Sequence, residues 1–213
     1  MRALTIDDLQ SILDSELVWR RREMSSLVTL LKSNTEVTQK AIIRAGVPLL
    51  YAHWEGFGRE CFVRYFEYVS YRKLKFRQLS PAFLYMSSFP SMSTIQNGGI
   101  KNGIDAINSI IKRMDSTNKD PFRKRISTKS NLRSDALEDL MLSCGLDTSE
   151  LMLHSEFIDK ELCDSRNEIA HGSGAAPSLD AFLKRRDTTF TIMTTLHNTV
   201  VNAAINQKYK AAA

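Results

Sequence analysis

The chain has 213 residues, 43% of them apolar and 25% charged, with a net charge of +5. That is enough apolar matter for one domain with a real core. No run of about 18 apolar residues is present, which excludes a membrane-spanning helix, and five prolines and nine glycines are too few for a turn-rich β architecture.

Residues 5–33 predict one long amphipathic helix. Ile6, Leu9, Leu13, Leu17, Met24, Leu27 and Leu31 recur at spacings of three, four or seven. Thr5 is placed to cap it, with Asp7 and Asp8 in the first turn, where the helix dipole favours anions. Arg20-Arg21-Arg22 interrupts the apolar stripe, and its expected place is the solvent face. A second long helix is predicted from about Thr35 to Lys73, with a kink or restart at Pro48 after Gly46-Val47. Beyond Leu49 its pattern is dense and aromatic, as in the central helix of a bundle.

Residues 76–130 break this rhythm. Ser80-Pro81, Phe89-Pro90, Asn97-Gly98-Gly99 and Asp120-Pro121 are turn or boundary signals. Short helices fit at 81–88 and 101–114, and the stretch reads as a partly irregular, basic insertion. Between Lys112 and Arg133 lie eight basic residues against Asp115 and Asp120, a net +6, so the remainder of the chain sums to −1. Such clustering is the electrostatic footprint of a polyanion partner, and a solvated basic loop is the plainer alternative. Lys112, Arg113, Arg123, Lys124 and Arg125 are its candidate RNA contacts. Arg72, Lys73, Lys75 and Arg77 form a second basic cluster.

Helical periodicity returns at 132–143, closed by Gly145. A helix over about 155–170 ends near Gly172, and a last one runs from Ser178 to about 208. The fold class is all-α, a bundle of four to five main helices in one domain over 1–210. Ala211-Ala212-Ala213 reads as an appended tail. Cys61, Cys144 and Cys163 lack CxxC pairing and are expected as reduced, buried thiols. His53, His154, His171 and His197 lack metal-ligand spacing, so no metal and no cofactor is expected. The N-terminus has no apolar signal core, which points to a cytoplasmic protein.

The run Arg166-Asn167-Glu168-Ile169-Ala170-His171-Gly172 carries the most chemistry. Arg166 can grip a phosphate through two donors and keeps its charge. His171 titrates near neutrality. Together they suit RNA cleavage by 2′-hydroxyl attack, with the imidazole as acid or base and the guanidinium stabilising phosphoryl charge. An Arg and a His five residues apart point roughly 140° from each other on a regular helix. The helix end freeing His171, the long reach of Arg166, or two copies meeting across a dimer would each resolve this. Asn167 and His171 share a face with Asp164 one turn back, a row able to orient the imidazole. An ordinary helix ending, with a histidine meeting the dipole before a capping glycine, is the structural alternative.

The same run resembles the Arg-x4–6-His signature of the HEPN superfamily. Tyr51-Ala52-His53-Trp54-Glu55-Gly56-Phe57 is similar to a block of its prokaryotic stand-alone MAE-type branch. So is Lys129-Ser130-Asn131-Leu132, followed by a helix and Gly145-Leu146-Asp147. The similarity spans roughly residues 40–200. It implies a helical bundle and a metal-independent endoribonuclease acting as a toxin or phage-defence effector. It also implies a homodimer whose two motifs face each other, and an antitoxin or defence-system partner protein. Arg166, Asn167 and His171 are the catalytic positions it implies, while His53 and Glu55 are family-typical positions, candidates to orient or line the site, with packing of Trp54 and Phe57 beside a hydrogen-bonded His53 as the plainer reading. A non-catalytic HEPN module that binds nucleotides, or partners a nucleotidyltransferase or larger defence protein, is the alternative. A nucleic-acid-binding regulator without chemistry ranks behind both, since no helix-turn-helix unit is evident.

Overall fold

The computed structural model describes residues 2–117 and 131–212. Helix α1 spans Ile6–Lys32. It opens on a reciprocal cap: Asp8 N–H donates to the Thr5 hydroxyl and Thr5 N–H to the Asp8 carboxylate, both at 3.0 Å. Of the predicted stripe Leu9, Leu13, Leu17, Met24 and Leu31 are buried and Ile6 and Leu27 partly so; Ile12 and Val28 join it, with one unexpected member, Arg20, which is 5% exposed. Arg21 and Arg22 are exposed, as expected for the run. Arg20 turns inward because its charge is met there. It pairs with the Glu16 carboxylate, donates to the Glu16 carbonyl at 2.8 Å and stacks on Trp19 with its Cζ 4.3 Å from the ring centroid.

Helix α2, Glu36–Tyr71, is 36 residues long and continues through Pro48 without the predicted restart. Gly46 serves packing instead: a Cβ there would lie 2.8 Å from Phe182 and 2.9 Å from Leu27. The aromatic run of α2 forms the centre of the molecule. Trp54, Phe57, Phe62, Tyr65 and Phe66 are completely buried. Helix α9, Leu179–Ile205, packs with α1 and α2 as the third long helix.

The stretch from 76 is more regular than predicted. After a short 3₁₀ turn, Phe76–Gln78, come α3 (Pro81–Ser87), α4 (Phe89–Asn97) and α5 (Gly99–Arg113). Pro81 and Pro90 sit in first turns, where a missing N–H costs nothing. Asn97-Gly98-Gly99 is the boundary its composition signals, a tight corner between α4 and α5. The basic residues 123–125 lie outside the described residues. Helix α6 (Ser134–Ser143) and α7 (Ser149–Met152) follow.

The predicted helix over 155–170 is two kinds of helix. Phe157–Asp164 is π-helical, and α8, Ser165–Ala170, continues it. The i→i+5 bonding of a π-helix brings residues five apart back to one side. Asp159 and Asp164 therefore both face Arg133, at 3.7 and 2.6 Å. Asp159 also accepts from the Ser134 N–H at 2.8 Å and its hydroxyl at 2.7 Å, capping α6 from outside. Among the described residues every regular element is helical, and none is long and apolar enough to cross a membrane. The three cysteines are free and buried, and burial lifts the Cys163 thiol to about 12.

Candidate functional site

The 166–172 run ends as its composition dictates. Gly172 N–H donates to the Ile169 carbonyl at 3.1 Å, and Ser173 N–H to that of Glu168 at 3.0 Å. These are the paired bonds of a Schellman ending, which requires a left-handed residue, and Gly172 supplies φ +89°. His171 is the last residue before it and is exposed.

Asp164, Asn167 and His171 come together as their spacing predicts. With Glu168, Gly172 and Ser173 they line an open depression. Arg133 pairs with Asp164 on its other side. Arg166 does not line the depression. Its guanidinium lies over Tyr51 of α2, with Cζ 4.2 Å from the ring centroid, and its Nη2 donates to Asn131 Oδ1. The two signature side chains leave α8 on different sides, and the depression has the imidazole without the guanidinium.

The other candidates sit elsewhere. His53 is buried between α2 and α1, its Nε2 2.9 Å from a Glu23 carboxylate oxygen and its ring edge-on to Trp19. Burial lowers its pKa, against the pull of Glu23. Glu55 is half-buried one turn beyond Tyr51, close enough for its charge to reach the Tyr51 phenol. Lys112 and Arg113 end α5, and Arg113 stacks on Phe76 with Cζ 4.5 Å from the centroid. None of these lines the depression. Of the second basic cluster, Arg77 pairs with Asp115 at 2.5 Å and Arg72 stacks on Tyr68. Arg133, counted among the basic excess, is neutralised by Asp159 and Asp164. Among the described residues no cluster of three or more His, Cys, Asp or Glu converges as metal ligands would.

The Arg166 partners Tyr51 and Asn131 were not legible as such. Both stand in the stretches that resemble the MAE-type branch, but no local spacing joins residues 80 apart. The structure joins those stretches directly. Tyr51 donates its hydroxyl to Asn131 Oδ1 at 3.2 Å and accepts the Leu132 N–H at 3.0 Å. Trp54 donates to the Leu132 carbonyl at 2.9 Å. Burial raises the Tyr51 phenol above its ordinary range, although Arg166 pulls the other way, so it stays protonated.

An all-helical bundle that presents an Arg-x4-His run at a helix end is the architecture of HEPN domains. The chain belongs to the HEPN_MAE_28990 family: the MAE_28990-like HEPN model matches residues 9–209. HEPN domains are generally ribonucleases and typically act as RNA-targeting dimers. No curated protein and no solved structure gives a significant match.

Proposed function

We propose that this protein is an endoribonuclease, working as a toxin or phage-defence effector, whose site forms between two copies of the chain. The observation that carries it is the division of labour on α8: an exposed imidazole over an open depression, and a guanidinium on another side. His171 takes the 2′-hydroxyl proton. The 2′-oxygen then attacks the adjacent phosphorus, the bond to the 5′-oxygen breaks, and that oxygen leaves with the proton that the His171 imidazolium now carries. Arg166 from the second copy stabilises the charge on the phosphoryl oxygens. The products are a 2′,3′-cyclic phosphate and a 5′-hydroxyl. Asn167 and Asp164 orient the imidazole from one side of the depression. This chemistry draws on side chains alone, so cleavage is expected to survive EDTA.

The test is incubation of wild type, His171→Ala and Arg166→Ala with total RNA and tRNA in EDTA, with mapping of fragment ends. Cleavage by wild type with cyclic phosphate ends, and its loss in both folded variants, is the expected result. Undiminished cleavage by His171→Ala would sink the reading.

A second reading, a non-catalytic module for a nucleotidyltransferase or a larger defence protein, has one observation in its favour. Ile100, Ile104, Ile107 and Ile111 of α5 are all exposed, and their 4-3-4 spacing puts them on one face, as in the seam of a helix pair. Absence of cleavage on diverse RNAs, with a stable complex with the product of a neighbouring gene, would select it.

A further inference from the structure

We propose that Tyr51 and Asn131 are positioning residues for Arg166, a neutral clamp that aims the guanidinium while leaving its charge uncancelled; this rests on the reading of Arg166 as the phosphate-binding cation. Exposed Arg21 and Arg72 also rest on an aromatic face and a neutral oxygen, but four less exposed arginines are treated differently. Arg20 meets Glu16, Arg64 meets Glu60 and Glu67, Arg133 meets Asp159 and Asp164, and Arg185 meets Glu161. Among the described residues Arg166 meets no carboxylate. Its partners are an amide oxygen and an aromatic face.

That choice is poor for stability and good for binding an anion. Arg166 is half-buried, and its Nε has given up water with no hydrogen-bond partner and no ion pair among the described residues. An aromatic face and a carbonyl oxygen attract a cation but leave its unit charge to act on a phosphate. The clamp is itself held. Asn131 Oδ1 receives both the Arg166 guanidinium and the Tyr51 hydroxyl, and that hydroxyl accepts the Leu132 N–H. Leu132 is fully buried, with its carbonyl tied to Trp54. A guanidinium seated on so fixed a frame needs little reorganisation when charge develops beside it.

The experiment measures binding of an uncleavable 2′-O-methyl RNA by fluorescence anisotropy, using the full chain, with melting temperature as the folding control. Arg166→Ala, Asn131→Ala and Asn131→Asp are each expected to weaken binding about tenfold, the loss of one charge-assisted bond. Asn131→Asp keeps an acceptor in place and adds a counter-charge, so its melting temperature should hold or rise while binding falls. Asn131→Ala added to Arg166→Ala should cost nothing further, because Asn131 acts only through Arg166. Multiplying losses in the double variant, or wild-type binding by Asn131→Asp, would overturn the clamp. So would a wild type that does not bind the RNA. A wild type that binds with this coupling but never cleaves would overturn the ribonuclease reading and leave the clamp standing.

Discussion

Trp54 donates its indole N–H to the carbonyl oxygen of Leu132 at 2.9 Å, across 78 residues of chain. One turn further along α2, Gly58 leaves space for the Leu132 side chain: a Cβ there would lie 2.4 Å from Leu132 Cδ2. This bond and this gap seat the segment that carries Asn131 to Arg166. Packing inside the bundle thereby sets the pose of a charged group on its surface.

Gly58→Ala tests that seat. Leu132 is fully buried and has little room to yield, so overpacking should cost about 1–3 kcal/mol. Chemical denaturation gives the stability loss. RNA binding should fall with it, as Asn131 shifts from Arg166. A variant as stable as wild type would show that Leu132 repacks freely.

Mixing two inactive variants tests the shared site. If Arg166 of one copy serves His171 of the other, a mixed dimer of Arg166→Ala with His171→Ala contains one intact site and one doubly altered one. Equal mixing should then restore about a quarter of wild-type cleavage. If each chain uses its own pair, mixing restores nothing. The readout is cleavage of a labelled RNA after subunit exchange.

Gly172→Ala should separate positioning from packing. No atom lies within 4 Å of the added Cβ, so the penalty comes from φ +89° alone. A left-handed alanine costs on the order of 1 kcal/mol. Relief of that strain would unwind the turn that sets His171, so cleavage should fall further than stability. Gly172→Asn, which tolerates this conformation better, should sit between alanine and wild type.

His53 makes stability depend on pH. Burial lowers its folded pKa below the ordinary value of 6.5, with Arg20 acting in the same direction and Glu23 opposing. The unfolded chain therefore binds its proton more readily. The contribution is fully present above about 6.5 and is lost as pH falls through the folded pKa. Urea midpoints at pH 7.5 and 5.5 should drop more for wild type than for His53→Gln. Equal drops would place the acid sensitivity elsewhere.

Much of the bundle was legible because its signals are local. The stripe of α1, the aromatic run of α2 and the glycines closing α6 and α8 need only neighbouring residues to be understood. The departures are tertiary. Arg20 looks solvent-bound until α2 packs over it, with Cζ 5.8 Å from the Phe57 ring centroid, and Pro48 looks like a kink or restart, yet α2, packed against both α1 and α9, runs through it. Hydrophobic spacing cannot separate a π-helix from an α-helix over eight residues. The difference shows in what it achieves, placing Asp159 and Asp164 together on Arg133.

The sequence by itself determined the helical class, the family resemblance and the chemistry available at 166–172, since residue type and short-range spacing carry all three. Tertiary structure alone decided where that chemistry points. It set His171 over an open depression with Asp164 and Asn167, and held Arg166 on Tyr51 and Asn131. The physical reason is that a side chain's direction and its charge partners depend on residues far along the chain. No periodicity records that Tyr51, Asn131 and Arg166 will meet.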